Sequence, residues 1–599
     1  MVRTCLIGFS LLALATPVLA GETLVARSYD VSPLVRSTDA SFSPALGLIQ
    51  AHSSGILTFE EEGSSSELIL ASEALVRYLR QDLARTSAPK PTHFQLQRGV
   101  LKVLAPAQTH QALQASLAQV RAQVARQITL EVRLVALDPA QAQGLGSAGA
   151  ILEPQHHALL ASGASLGGVR LVARDRQPAS AGLLQRSTFL GDFEVNQTGT
   201  IPVLNSVVER LLEGLVADVT CRLPLGEGAA LLDCRVEHAR QPGVARTQPF
   251  APGGVIDLPS LDHLAFSGSL RLLAGQTGLL GTAPLPNFEG KPRCVLALVT
   301  LRSVQARPAI APKAVGLRAY DLTRLAEPTN SYFTRPGWSS DSGSGGGGGA
   351  GVMFSGEFED EKSEATGFMG VNAVRELALS KVDPGTWASD NGPKENWILP
   401  APGALSVAQS AAGHERLAAF LSSLQPTPAL LRYELIQLEG AAASASAPVL
   451  SPEVAAKLAS SQTVHARLSL SGFPERGVEV VSRRESRFVS DIERSGGCGS
   501  TNTAVQVDDP IVETLAAGVS LRLKGSVSGE EISVEADLDL RGRPTLRPSQ
   551  TRWGVVELYS ASHRNLRSRA TLSSGGGVLL TTQVEGKARV YLLRVWADR

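Results

Sequence analysis

Cysteine, aromatic residues and net charge are all scarce in this chain. Only 5 cysteines occur in 599 residues, and Phe, Trp and Tyr together make up 5%. None of the cysteines shows the Cys-x-x-Cys or Cys/His spacing that holds zinc, so neither a metal nor a cofactor is expected. Basic and acidic side chains balance at 56 each, which removes the general electrostatic case for nucleic acid or anionic lipid as a partner. Beyond the first twenty residues no apolar run reaches the roughly 18 residues of a membrane-spanning helix. Barrel strands leave a weaker trace and escape that argument, although few aromatics are available for the girdles of a bilayer-facing barrel.

Residues 1–20 carry Arg3, an apolar run from Leu6 to Ala15, Pro17, and Val18-Leu19-Ala20 before Gly21. A short charged start, a short apolar core and a small-residue end read as a secretory signal peptide. Export places the chain in a compartment where disulfides are permitted.

What the chain has in abundance is repetition, at a period of about 300 residues and far beyond the span of a solenoid repeat. Arg27-Ser28-Tyr29-Asp30 returns as Arg318-Ala319-Tyr320-Asp321, and Gly99 to Val103, with His110 and Leu113 behind it, returns as Gly403 to Val407 with His414 and Leu417. Each copy opens with a mixed segment, residues 22–126 and 314–426, that ends in a short strand and an amphipathic helix. Leu113, Leu117, Val120 and Val124 fall at helical spacing, as do Leu417, Leu421 and Leu424. A β-rich segment follows, residues 127–308 and 427–599, in which Leu130 to Leu137 and Leu431 to Leu438 alternate at period two. The expected fold class is α+β, with small α+β modules alternating with antiparallel β-rich domains in two tandem copies.

Leu215 to Leu223 and Leu231 to Glu237 alternate around a Leu-Gly-Glu-Gly turn. Ala217, Val219, Cys221 and Leu223 share one face with Leu232, Cys234 and Val236. Asp218, Thr220, Arg222, Asp233, Arg235 and Glu237 share the other. A hairpin centred on Glu227 and Gly228 sets Cys221 opposite Cys234, within disulfide reach, and two buried free thiols are the equal alternative. Cys294 and Cys498 have no assigned role.

Other residues invite chemistry and lose it on inspection. Gly163-Ala164-Ser165-Leu166-Gly167 matches the nucleophile elbow, but its repeat places Thr463 opposite Ser165 without flanking glycines, and a turn is expected instead. His110 and His414 each stand alone at a helix start, where packing or a hydrogen bond explains them, and His156-His157 are expected to be exposed. The glycine-rich loop 339–352 lacks the Lys-Ser or Lys-Thr of a phosphate cradle. The acidic stretch from Glu357 to Glu364 reads as a solvated loop. Asp192 and Glu194, repeated as Asp491 and Glu493, are paired carboxylates expected on an exposed strand face. No enzymatic activity and no small-molecule substrate are expected.

The ordered series of landmarks resembles the secretin-like proteins of bacterial type II and type III secretion systems. It comprises the Tyr-Asp opening, the strand and His-containing helix start, the alternating strand, Leu258-Pro259-Ser260-Leu261, the Gly275-Gln276-Thr277 turn into Leu279-Leu280-Gly281, and the closing strand Val295 to Thr300. The resemblance implies ring-building modules ahead of a secretin-like β domain, here duplicated. It also implies self-association through the α+β modules, a place in the outer membrane or periplasm, and other envelope secretion components as partners. Gly281 is replaced by Thr581 in the second copy. A soluble scaffold that kept the fold without a pore is the alternative.

Overall fold

The computed structural model describes residues 23–598. The longer stretches outside the described residues are 36–45, 47–69, 197–202, 224–228, 307–314, 323–370, 389–394, 425–429, 439–448 and 496–506, and gaps of one to three residues interrupt the remainder. The signal-peptide segment, the glycine-rich loop, the acidic stretch and Cys498 all lie outside them.

The first module comprises β1 (Leu24–Asp30), α1 (Ser32–Val35), α2 (Ser72–Arg85), β2 (His93–Gln97), β3 (Val100–Pro106) and α3 (Ala107–Val124). Its antiparallel sheet has the order β1-β3-β2. On α2, Leu75, Leu79 and Leu83 recur every fourth residue and are buried with Tyr78, while Glu73 and Arg85 sit at the ends the helix dipole favours. The four α3 residues at helical spacing are buried against them.

Next come β4 (Gln127–Leu137), α4 (Pro139–Gln143), α5 (His156–Ser162), β5 (Ala164–Arg174), β6 (Pro178–Asn196), β7 (Val203–Arg222) and β8 (Ala229–Arg240). They are followed by β9 (Arg246–Phe250), β10 (Gly254–Leu258), β11 (Ser260–Leu273), β12 (Thr277–Phe288) and β13 (Lys291–Val304). The second module contains β14 (Val315–Asp321), α6 (Val371–Lys381), β15 (Trp397–Ala401), β16 (Ala404–Ser410) and α7 (Ala411–Leu424), and its sheet order is β14-β16-β15. The chain closes with β17 (Leu430–Leu438), β18 (Val449–Leu450), α8 (Pro452–Ser461), β19 (Val464–Gly472), β20 (Gly477–Ser495), β21 (Val507–Ser528) and β22 (Glu531–Arg541). After these come β23 (Thr545–Thr551), β24 (Gly554–Ser560), β25 (His563–Ser573), β26 (Gly577–Val584) and β27 (Lys587–Asp598).

Strands from residues 127–308 and 427–599 share two large sheets. One has the order β25-β22-β21-β20-β11-β8-β7-β6 and the other β18-β26-β27-β17-β19-β12-β13-β4-β5. Their facing sides close on one apolar core, to which Leu130, Val132, Leu134, Val219, Phe266, Val299, Tyr433, Leu521 and Leu593 all belong. Period-two alternation explains this directly, since every second side chain of β4, β7 and β17 points to the same face.

The long hairpins β6–β7 and β20–β21 each carry a glycine of positive φ in their second strand. Gly214 and Gly518 hold φ of 128° and 145°, and a Cβ there would come within 2.0 Å of the Leu183 carbonyl oxygen and 2.2 Å of that of Ser482. No other residue type fits such a contact. Both hairpins also carry a bulge, between Leu190 and Asp192 and between Val489 and Asp491. At each bulge the aspartate accepts the N–H of the next residue, Phe193 or Ile492.

A tyrosine and a histidine pin each module. Tyr29 Oη lies 2.7 Å from His110 Nδ1, and His110 Nε2 lies 2.8 Å from the Val25 carbonyl oxygen. In the second module Tyr320 Oη is 2.6 Å from His414 Nδ1, and His414 Nε2 is 2.9 Å from the Gly316 carbonyl oxygen. A carbonyl only accepts, so Nε2 carries the proton, Nδ1 accepts and the tyrosine donates. The first strand is thereby fastened to the start of the last helix. Removing the hydroxyl from the buried pair leaves His414 Nδ1 desolvated and unsatisfied. Tyr320→Phe is therefore expected to destabilise the second module by about 1–3 kcal/mol. Tyr29→Phe, at a half-buried pair where water can substitute, is expected to cost less; calorimetric unfolding of the two variants measures the difference.

Candidate assembly surface

The two halves of the chain meet along strand edges, and several ion pairs cross that seam. In one sheet β11 pairs with β20 from Ser260↔Ser486 to Ser267↔Glu479. In the other, β12 meets β19 at Gly281↔Leu470 and Thr282↔Ser469. Arg484 Nε donates to Asp262 at 2.7 Å, Arg487 reaches Glu209 at 2.9 Å, and Arg476 pairs with Asp233. Ser471 Oγ donates to the Ser269 carbonyl at 2.7 Å. Each of these contacts joins residues more than 200 positions apart, so the sequence carries no local signal for any of them.

The two faces of the β7–β8 hairpin match the sequence reading, but the register differs. Val219 stands opposite Cys234, and Cys221 stands opposite Leu232. A shift of two residues preserves which side each residue faces and breaks the Cys221–Cys234 pairing, since diagonal neighbours lie about 7–8 Å apart, beyond disulfide span. Both are free and buried. Burial pushes both thiols up, with Asp175 adding to the effect at Cys221 and Asp233 at Cys234. Cys294 is raised to about 11 by burial, partly offset by Arg467. Such thiols are inert packing groups. Thiol-reactive reagents are expected to label Cys221 and Cys234 only after denaturation, and non-reducing peptide mapping is expected to find no link between them.

The charged face of this hairpin is largely buried. Asp218, Asp233 and Glu237 are each only 4% exposed. Arg235 pairs with Glu237, and Arg483 lies 2.6 Å from the fully buried Glu485. Near them burial, reinforced by Arg240, lowers His238 to about 4, and burial with Arg483 and Arg235 lowers His263 well below its ordinary value. Both environments favour the neutral imidazole over the charged one. Part of the far side of the other sheet is also ionic, beside the apolar clusters around Leu296 and Leu592: Arg302 Nε donates to Glu131 at 2.8 Å, and Arg467 Nε lies 3.1 Å from Glu434. Burial opposes it, yet Arg302, Arg133 and Arg170 hold Glu131 below the usual carboxylate range.

The remaining sequence candidates are dispersed. Ser165 is exposed within β5, opposite Val135 beside a bulge. It is part of a strand and not of the expected turn, because the β4–β5 ladder runs from Ala164 on through Gly167 and Gly168. Asp192 and Asp491 serve their own bulges, and the side chains of Glu194 and Glu493 lie outside the described residues. His156 accepts a 3.3 Å hydrogen bond from the Glu153 N–H, and His157 is exposed. Among the described residues no group of three or more His, Cys, Asp or Glu side chains could hold a metal.

Because the unfolded chain protonates a histidine near pH 6.5 and the folded His238 resists until about pH 4, the contribution of this depressed group is complete above 6.5. It is lost as pH falls toward 4. The cost reaches on the order of 3 kcal/mol for His238 alone. Calorimetry from pH 7 to 4 is expected to show a steep fall in unfolding temperature, shallower in His238→Gln.

No family model matches the sequence, and no curated protein matches it. Several solved structures show partial likeness. The InvG secretin-domain β-barrel of the Salmonella SPI-1 injectisome is 12% identical, with 49% of this chain and 91% of that one covered at a TM-score of 0.19. A near-atomic structure of the Salmonella SPI-1 secretin InvG is likewise 12% identical, with 50% and 90% covered at a TM-score of 0.21. The Salmonella basal-body assembly of InvG, PrgH and PrgK gives 10% identity, 55% and 78% coverage, and a TM-score of 0.21.

Proposed function

We propose that this chain is a non-enzymatic cell-envelope protein, exported by its N-terminal signal, that assembles into a secretion ring or periplasmic collar. The observation that carries the reading is the order of strands. Each large sheet contains the same four-strand block twice, β6-β7-β8-β11 then β20-β21-β22-β25, and β5-β4-β13-β12 then β19-β17-β27-β26. A tandem pair of blocks in a two-layered sheet has the form of two adjacent wall segments, and this supports the duplication inferred from sequence.

The modules supply a second mode of association. Within the chain, α2 and α3 of the first module cover the sheet of the second. Val315, Leu317, Trp397 and Ala408 join the first module's apolar cluster, and Trp397 Nε1 donates to Gln81 at 2.9 Å. Arg77 lies over the Trp397 ring, and Arg85 pairs with Glu395 at 2.9 Å. Helix-on-sheet stacking of this kind is the pattern by which modules associate in the proposed collar. Outer-membrane and other secretion components are the expected partners.

The charged side chains that share the far sides of both sheets with apolar clusters favour a water-facing collar over a bilayer-embedded barrel, because a lipid-facing band is apolar throughout. That observation also supports the second reading, a soluble periplasmic scaffold. Among the described residues no helix is long and apolar enough to cross a membrane, which says nothing about strands. Negative-stain imaging of purified protein, paired with membrane fractionation, separates the readings. Rings with a central opening in detergent-resistant multimers are expected. A monomer confined to the soluble fraction overturns the ring.

A further inference from the structure

We infer that the seam between the two halves is the template for the seam between chains: a second copy adds head to tail, placing its β6 and β5 against β25 and β26 of the first. This rests on the assembly reading above and names its partner and register. The inference starts from equivalence of position. β11 and β25 each run into a turn at a glycine of positive φ, Gly275 or Gly575, and each pairs with the strand before it in its block. β6 and β20 share the bulge, the aspartate behind it and the glycine opposite, Gly214 or Gly518. At the internal seam β11 meets β20. Their counterparts β25 and β6 stand at the two ends of that sheet, and in the other sheet β5 ends one side while β26 is followed only by the two-residue β18.

Burial follows the same logic. His263, Leu264, Ala265 and Ser267 are buried in the internal seam, while their counterparts His563, Arg564, Asn565 and Arg567 are exposed. On the opposite end Leu183 is 64% exposed where Ser482 is 4%, and Val172 is 58% exposed where Phe473 is 7%. Leu184 adds a second exposed apolar residue beside Leu183. An edge with exposed aliphatic side chains is a template for another strand. The same surface patch does not recur on both ends, so the contact is heterologous: it closes into a ring or continues as a filament according to the angle between blocks.

Carrying the internal register across gives the chain-to-chain register. His263↔Arg483 becomes His563↔Leu184, Leu264↔Ser482 becomes Arg564↔Leu183, and Leu261↔Glu485 becomes Ala561↔Arg186. The seams then differ in chemistry. Ser562 and Gln185 replace the Asp262–Arg484 ion pair, so the seam between chains lacks that tie. Thr581 replaces Gly281, whose added Cβ would lie 2.9 Å from the Ser469 carbonyl oxygen, so the second sheet must open slightly there. Each chain is accordingly a covalent pair of wall segments, joined to the next pair by a weaker seam.

Cysteine crosslinking in the full-length protein tests the register. Leu184→Cys and His563→Cys are prepared singly and together, with Leu183→Cys and Arg564→Cys as a second pair should the first fail to fold. Under mild oxidation the double variant is expected to give a ladder of disulfide-linked multimers on non-reducing gels. The two single variants mixed are expected to give dimers alone. Dimers from Leu184→Cys by itself mean back-to-back pairing and overturn the inference. Rings in the microscope without a ladder from either pair also overturn it while sparing the assembly reading, and a ladder from open filaments does the reverse. Monomers that never crosslink overturn both.

Discussion

Edge-to-edge strand pairing around a single shared core is the constraint on which the rest of this structure depends. An edge strand carries a row of unmet N–H and C=O groups that must be paired, covered or left to water. Here the last strand of each first-half block faces the first strand of the second-half block, pairing across the seam along Ser260 to Ser267 in one sheet and at Gly281 and Thr282 in the other. Because both sheets cross it together, the apolar residues between them form one uninterrupted cluster. The two halves are therefore not separable β domains in the ordinary sense, although each supplies a complete set of strands.

That constraint explains the small residues and charges at the join. Gly268 sits where an added Cβ would lie 2.6 Å from the Ser471 carbonyl oxygen, so only glycine lets the two sheets approach as they do. Around it, Asp262, Asp233 and Glu209 meet Arg484, Arg476 and Arg487 from the other half. Buried pairs of this sort add little net stability, because desolvation cancels much of their attraction. Their value is in register: a slip of one residue would leave several buried charges without partners and turn every core side chain outward.

Much of the local architecture was legible in the sequence. Period-two alternation marked β4, β7, β8 and β17 and sorted the β7–β8 side chains onto their correct faces. Helical spacing marked α3 and α7. What could not be read was anything set by long-range pairing. The hairpin turn lies in a stretch whose length permits two registers of equal parity, so the faces were right while Cys221 and Cys234 missed each other. Tyr29 and His110 were each noticed as landmarks, but their contact spans 81 residues and leaves no periodic trace. The burial of Asp218, Asp233 and Glu237 was equally hidden, since alternation reports which face a residue takes and not what covers that face.

Comparing the halves separates what the fold needs from what a neighbour needs. Features internal to a block recur: the tyrosine–histidine pin, the bulge with its aspartate, and the glycine of positive φ in the second strand of the hairpin. Features that touch the next block do not. Asp262 and Arg484 have Ser562 and Gln185 as counterparts, Gly281 has Thr581, and the Trp397 and Leu399 of the covered module sheet correspond to the exposed His93 and Gln95 of the other. Residues facing an internal seam can specialise, because their partner is always on the same chain and always at high effective concentration. Residues at the chain ends meet a partner only when one arrives, and until then most of them must remain compatible with water, the exposed Leu183, Leu184 and Val172 being the exceptions. A polar terminal sheet face and an edge without its ion pair are what that requirement produces, much as terminal repeats of a solenoid carry a polar outer face.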